Sequence, residues 1–142
     1  MNDFKKLIVW QKAREFVKDI YQITRKFPKE ELFGLTSQIR RATISIALNI
    51  VEGSGRGTDK DFAHFLDIAL GSALEVEAQI ILSLDLEFIT TEEYNILTLK
   101  IQEIQKMIKK LTNSLRKRSL TSNSLVSNSL ASNSLVSNSL TV

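Results

Sequence analysis

The segment over residues 35–52 constrains the fold most, because it has the period of a helix and is apolar on more than one face. One apolar row comprises Ile39, Ala42, Ile46 and Ile50. A second row on another face comprises Ile44, Leu48 and Val51. A helix that is apolar nearly all round must be covered nearly all round. We therefore predict a helical bundle that assembles with copies of itself, with the second row at the oligomer interface.

Two further segments have the period of helices that bury a single stripe. The first covers residues 7–27 and ends at Pro28, because proline cannot continue the hydrogen-bond ladder of a helix. The other begins at Thr90, which with Glu93 forms a capping-box sequence. Its apolar residues alternate in steps of four and three: Leu97, Ile101, Ile104, Ile108, Leu111 and Leu115. We expect this narrowly striped helix to be peripheral and the helix over residues 35–52 to be central.

Two glycines and one helix cap predict where the second helix ends and how the third helix begins and packs. Gly53 predicts the end of the second helix, since glycine readily adopts the left-handed conformation of a C-terminal residue. Thr58 followed by Asp61 predicts the start of the third helix. Gly71 lies inside that helix, where glycine costs about 1 kcal/mol relative to alanine. We expect Gly71 to allow a close helix crossing.

The order of these segments predicts an all-α fold, because no segment alternates with period two for long enough to form a strand. Four helices with short connections indicate an antiparallel up-and-down four-helix bundle over residues 1–118. From Asn113 the chain falls into five-residue units such as Asn-Ser-Leu-Val-Ser. Serine and asparagine side chains compete with the hydrogen bonds of a helix. We therefore predict that residues 119–142 form a disordered low-complexity tail.

The residue types present exclude several kinds of site. The chain has no cysteine, so it can form neither a disulfide nor a thiolate metal site. A di-iron carboxylate site in a four-helix bundle needs two Glu-x-x-His motifs, and this chain has one histidine, His64. We interpret His64 as a partly exposed helix residue. We expect no metal ligand, no cofactor and no catalytic residue.

The glycine-rich stretch at residues 53–58 resembles a phosphate-binding loop in composition only. It follows a helix rather than a strand, and it lacks the Lys-Ser/Thr pair of a Walker A loop. It leads into a helix N-terminus with Arg56 and Lys60 nearby, which is a generic setting for an anion. We interpret the stretch as a tight turn between helices.

Polar side chains on or near the apolar second helix need partners, because isolated buried polar groups are costly. Arg41 lies one helical turn before Ser45, and we expect it to pair with an acidic group such as Glu75. We predict a structural polar network that fixes the helix register, made of Arg41, Ser45, Asn49, Glu52 and Glu75.

Charge is distributed unevenly along a chain whose net charge is +3. Residues 59–93 carry one Lys/Arg against nine Asp/Glu, whereas residues 94–118 carry seven against one. Two interpretations remain open, namely complementary faces between helices or subunits, and a basic surface for a polyanion. The candidate nucleic-acid-binding residues are Lys12, Lys18, Arg25, Lys26, Arg56, Lys106, Lys109, Lys110, Arg116, Lys117 and Arg118.

No apolar run approaches the length of a membrane span, and the charged N-terminal region is not typical of a signal peptide. We therefore expect a cytoplasmic protein without a membrane partner.

Several short motifs together resemble a known family. They are Leu-Ile-Val-Trp-Gln-Lys-Ala at 7–13, Gln-Ile-Arg-Arg-Ala at 38–42, Asn-Ile-Val-Glu-Gly at 49–53 and Gly-Ser-Ala-Leu-Glu at 71–75. The chain resembles, over residues 4–115, the four-helix-bundle family first known from proteins encoded in intervening sequences of 23S ribosomal RNA genes. The resemblance implies a ring-like homopentamer and no enzymatic activity. Relatives include the accessory protein of diversity-generating retroelements, a basic ring that binds nucleic acid and a reverse transcriptase.

These observations lead to two functional hypotheses. In the first, the chain is a non-enzymatic, self-assembling bundle that binds RNA or DNA electrostatically as an accessory factor. In the second, it is a structural or adaptor oligomer that binds a protein partner, such as a reverse transcriptase, without nucleic acid.

Overall fold

The computed structural model describes residues 3–139, with side chains up to residue 132. Within that range the chain forms helices and no strand, which confirms the all-α prediction. The four long helices are α1 (Ile8–Thr24), α2 (Leu35–Ser54), α3 (Asp59–Asp85) and α4 (Thr91–Ser139). Two short 3₁₀ turns, Phe4–Lys6 and Lys29–Glu31, precede α1 and α2.

The helices pack as an antiparallel four-helix bundle in which each contacts its neighbours in sequence and α1 closes the ring against α4. The largest fully buried apolar side chains come from all four helices: Phe16, Ile20, Ile39, Ile46, Ile50, Leu66, Val76, Ile80, Ile101, Ile104 and Ile108. The most extensive interfaces are those of α3 with α2 and with α4. The expectation of a central second helix and a peripheral fourth was therefore wrong, because α3 has the two large interfaces.

Gly53 lies inside α2 and allows a close approach to α3. The helix continues to Ser54, and no glycine in residues 3–139 has a positive φ. A Cβ atom at Gly53 would lie 2.9 Å from Phe62 Cδ1 and 2.9 Å from Phe65 Cβ. The prediction that Gly53 ends the helix in a left-handed conformation was wrong, because Gly53 has a helical backbone and α2 continues past it. The residue is a glycine because α3 packs closely against it.

Gly71 has the opposite environment. A Cβ atom there would meet nothing within 4 Å, and the residue is exposed. The expected close helix crossing at Gly71 was therefore wrong, since no neighbouring helix approaches that face of α3.

Both predicted helix caps are present. The Oγ1 atom of Thr58 accepts a hydrogen bond from the Asp61 amide at 3.2 Å. At the start of α4 the bonds are reciprocal: the Glu93 amide donates to Thr90 Oγ1 at 3.1 Å, and the Thr90 amide donates to Glu93 Oε1 at 2.9 Å. These caps set the starts of α3 and α4.

The C-terminal repeats continue α4 as helix to Ser139, where the sequence analysis predicted disorder over residues 119–142. This part of the sequence contains no glycine or proline to stop a helix. Leucine at every fifth residue advances by about 140° around a helix, so Leu120, Leu125 and Leu130 share no face and are 65–70% exposed. Because an unpacked helix is marginal in water, the disorder of this tail in solution stays a prediction, and residues 140–142 lie outside the described residues.

Between residues 3 and 139, no helix has both the length and the apolarity needed to span a membrane.

The two glycines provide a matched test of helix packing. We expect Gly53→Ala to lower the free energy of unfolding by about 1–3 kcal/mol, because the new methyl group overpacks against Phe62 and Phe65. Gly71→Ala should raise it by about 0.5–1 kcal/mol through helix propensity alone. Urea denaturation followed by far-ultraviolet circular dichroism measures both changes. Equal effects of the two substitutions would contradict the close α2–α3 contact.

Candidate nucleic-acid interface

Five of the eleven predicted basic residues form ion pairs within the chain. The pairs are Lys12–Glu103 at 3.8 Å, Lys26–Glu93, Arg56–Glu52 at 2.6 Å, Arg116–Asp67, and Arg118–Asp59 at 2.7 Å. Three of these pairs join two helices, and Lys26–Glu93 joins the turn after α1 to α4. Complementary charge between neighbouring helices therefore accounts for part of the uneven charge distribution.

Three ion pairs connect α1 and the turn that follows it to α4. Lys12–Glu103 and Lys26–Glu93 lie on either side of a third pair, in which Lys100 Nζ lies 2.8 Å from an oxygen of Asp19. The hydrogen bond from Lys26, and then that from the Thr90 amide, lower the pKa of the Glu93 carboxyl below its usual value. All six side chains are partly exposed, so each pair contributes little on its own.

Arg118 attaches α4 to the beginning of α3 through a bidentate contact. Its Nε and terminal nitrogens lie 2.8 and 2.7 Å from the two carboxylate oxygens of Asp59. These hydrogen bonds lower the pKa of Asp59 and raise that of Arg118. The charge of Arg118 is thereby compensated within the chain.

The other six predicted residues are Lys18, Arg25, Lys106, Lys109, Lys110 and Lys117, and they form no ion pair with any described residue. Four of them constitute what we call the lysine stripe: Lys106, Lys109, Lys110 and Lys117. All four are exposed, and they lie on the side of α4 opposite the buried Ile104, Ile108 and Leu115. The stripe is about 16 Å long at the rise of an α-helix.

A smaller group of unpaired cations lies on the outer face of α1. Lys18 and Arg25 are exposed there, and Arg14 lies one turn before Lys18 on the same face. The Arg14 guanidinium is 5.5 Å from the centre of the Trp10 ring and has no carboxylate partner in the described structure. The sequence prediction omitted Arg14, although its spacing of four and eleven residues from Lys18 and Arg25 indicates a shared face.

The polar residues of α2 divide between two sets of contacts. Ser45 Oγ lies 2.9 Å from Ser72 Oγ of α3, and the Asn49 amide group donates to Ser45 Oγ at 3.0 Å. Glu52 instead pairs with Arg56. Ser72 was not among the predicted network residues, although a serine beside Gly71 on the α2-facing side of α3 is a suitable partner.

Arg41 and Glu75 line one cleft between α2 and α3, together with Ser45 and Ser72. Neither forms an ion pair within the described part of the chain. The structure therefore brings the two residues together without the predicted contact between them.

The predicted oligomer interface lies on the outer side of α2. Leu48 is 60% exposed, while Ile44 and Val51 are half-buried. The neighbouring helix α3 also has exposed apolar side chains, which the sequence analysis did not identify: Ile68 and Leu82 on one face, and Leu74 and Ile81 on another. The described chain does not cover these exposed side chains of α2 and α3.

The glycine-rich turn between α2 and α3 holds its arginine in place. The Arg56 guanidinium lies 4.6 Å from the centre of the Phe65 ring, in addition to its pair with Glu52. His64 is exposed and contacts Phe65 edge to face at 5.7 Å between ring centres. In the part of the chain that the structure describes, no three His, Cys, Asp or Glu residues are grouped so that they can hold a metal ion.

The ion pair of Glu93 gives the fold a pH dependence. Because its pKa is lowered in the folded chain, ionised Glu93 stabilises the fold above the pKa of unfolded glutamate, about 4.3. This contribution is lost as the pH falls through the lowered pKa. We expect Glu93→Gln to reduce the free energy of unfolding by about 0.5 kcal/mol at neutral pH and by less at about pH 3. Urea unfolding at both pH values measures this.

Glu92→Gln provides the matched control, since Glu92 lies in the same first turn of α4 without an ion pair among the described residues. It removes the same charge near the helix N-terminus. A Glu93→Gln effect that equals this control, or that does not change with pH, would contradict the assigned role of the Lys26 contact.

Comparisons with known proteins agree with the fold. The sequence model of the family described as 23S rRNA-intervening sequence protein matches residues 5–110. A crystal structure at 1.70 Å resolution of a protein with unknown function, from the S23 ribosomal protein family of Bacteroides thetaiotaomicron, superposes with a TM-score of 0.70 and 31% sequence identity. The match covers 75% of this chain and 96% of that chain. No curated protein matches. The chain belongs to the 23S rRNA-intervening sequence protein family.

Proposed function

We propose that the chain is a non-enzymatic, self-assembling four-helix bundle of the cytoplasm that binds RNA or DNA through the phosphate backbone. The observation that carries this proposal is the lysine stripe, whose four cations are exposed and have no carboxylate partner in the described structure. Lys12, Lys26 and Arg116 form ion pairs within the chain, whereas the four lysines of the stripe do not and can contact an external phosphate.

The stripe is suited to phosphates rather than to bases. Lysine ammonium groups attract phosphate oxygens regardless of sequence, and each contact releases counterions. Proteins contact the bases of single strands largely by stacking them on aromatic side chains, and Tyr94, in the first turns of α4, is the only aromatic residue of that helix. The proposed binding is therefore electrostatic and insensitive to base sequence.

Self-assembly is supported by the uncovered apolar surface of α2 and α3. Leu48 is more than half exposed in the single chain, and Ile68 of the neighbouring helix α3 is also exposed. Burial of such side chains favours association. The family resemblance indicates a ring-like pentamer, which would present five copies of the lysine stripe.

The lysine stripe gives a direct test by salt titration. We expect the triple variant Lys106→Gln, Lys110→Gln, Lys117→Gln to bind a single-stranded oligonucleotide with a log–log salt slope smaller by about 2 than that of the unchanged protein. The reason is that three phosphate contacts are lost. Fluorescence anisotropy at several salt concentrations measures the slope for RNA and for DNA.

The matched control removes three lysines elsewhere, through Lys5→Gln, Lys6→Gln and Lys29→Gln. These residues also form no ion pair in the described structure, so the net charge changes equally. Equal slopes for the two triple variants would contradict binding at the stripe. A chain that binds neither RNA nor DNA at low salt would exclude the proposal as a whole.

Leu48→Glu tests the assembly. Because Leu48 is 60% exposed, the substitution should leave the fold intact while placing a charge in the contact surface. We expect sedimentation velocity to show a smaller species than for the unchanged protein. Leu99→Glu, at a residue of α4 that is 70% exposed, is the control and should not change the assembly. An unchanged assembly of the Leu48 variant would contradict the proposed interface.

An adaptor oligomer that binds a protein partner is the second candidate. The connection between α1 and α2 favours it, because Phe33 is 94% exposed and Leu32 is 50% exposed beside it. Such apolar groups are typical of protein contacts. If this candidate is correct, a partner retained by the chain stays bound after nuclease treatment, and Phe33→Ala releases it.

A further inference from the structure

An open cleft of about 480 Å³ lies where α4 leaves the bundle and passes the first turns of α3. Its lining residues from α3 are Lys60, Ala63, His64 and Asp67, and those from α4 are Arg116, Ser119, Leu120 and Asn123. The beginning of the C-terminal repeat region therefore forms one wall of this cleft.

The walls of the cleft contain side-chain hydrogen-bond donors that have no acceptor among the described residues. Lys60 and His64 lie one turn apart on α3, and Ser119 and Asn123 lie on α4 across from them. None of these four side chains forms a hydrogen bond or an ion pair with another described residue. Their chemistry, an ammonium, an imidazole, a hydroxyl and an amide, suits an anion with several acceptor oxygens.

The carboxylate in the cleft is already compensated. Asp67 accepts a hydrogen bond from Arg116, which holds the guanidinium at the cleft wall. Asp59, near Lys60 in sequence, is paired with Arg118. The acidic residues next to the cleft thus position two arginines, and they do not form a cation site.

The cleft also adjoins the proposed nucleic-acid surface. Lys109 and Arg116 are seven residues apart on α4 and therefore share a face of the helix, so one path leads from the lysine stripe into the cleft. Lys117 follows Arg116 directly in sequence. A strand that lies along the stripe can reach the cleft without leaving α4.

We propose that this cleft binds a phosphate group of the nucleic-acid strand, with Lys60 and His64 of α3 and Asn123 of α4 as its contacts. This inference rests on the proposed function, because nucleic acid is taken as the source of the phosphate. The side chains of the cleft would bind a phosphate group from any source. The cleft is larger than one phosphate group, and its lining includes the apolar side chains of Ala63 and Leu120, against which the attached sugar can pack.

His64 makes the proposal measurable, because it is the single histidine of the chain and its imidazole signals need no assignment. The full-length protein is titrated at constant pH with a short single-stranded oligonucleotide, with cytidine monophosphate and with inorganic phosphate. The His64 imidazole signals are followed by nuclear magnetic resonance. We expect them to shift in a saturable way with the oligonucleotide. Lys60→Gln, at an exposed residue, should weaken oligonucleotide binding about fivefold at physiological salt, while Lys29→Gln should leave it unchanged.

The outcomes separate this inference from the proposed function. Oligonucleotide binding without a His64 shift overturns the cleft assignment and leaves the lysine stripe standing. A His64 shift with cytidine monophosphate or phosphate, in a chain that binds no oligonucleotide, overturns the proposed function and assigns the cleft to a small phosphorylated molecule. No shift with any of the three probes overturns the phosphate site.

Discussion

The close packing of α3 between α2 and α4 is the constraint on which the rest of this structure depends. Small residues make it possible: Gly53 accepts the Phe62 side chain, and Ala69 and Ala73 are fully buried on the inner side of α3. Branched aliphatic side chains of α2 and α4 fill the space that these residues leave. The side chains on the inner faces are thereby buried, and the other apolar side chains of α2 and α3, such as Leu48 and Ile68, are exposed.

The helices and their starts were predictable because their determinants are local. Pro28 follows α1 closely, and the Thr90–Glu93 pair reproduces the cap that the sequence indicated. The two glycines were assigned incorrectly for the opposite reason. Whether a glycine is needed depends on what would meet its missing Cβ atom, and that is decided by helices distant in sequence. Gly53 meets Phe62 and Gly71 meets nothing.

For the basic residues, too, the sequence identifies the residue types, but their ion-pair partners depend on helices that are distant in sequence. Sequence identified eleven candidates, and only the arrangement of helices shows that Lys12 opposes Glu103 while the exposed Lys18 has no described partner. The distinction matters for function, because a cation that is already neutralised contributes less to the attraction of a phosphate. Once neighbouring helices are known, spacing along α4 is sufficient to define the lysine stripe.

The five-residue repeats have a consequence for how this protein can vary. Each unit adds about 7.5 Å of helix or a longer stretch of open chain. Beyond Asn123, gain or loss of whole units leaves the core side chains and the ion pairs of the bundle as they are. The length of the C-terminal segment can therefore differ between closely related sequences with almost no effect on the free energy of unfolding of the folded domain.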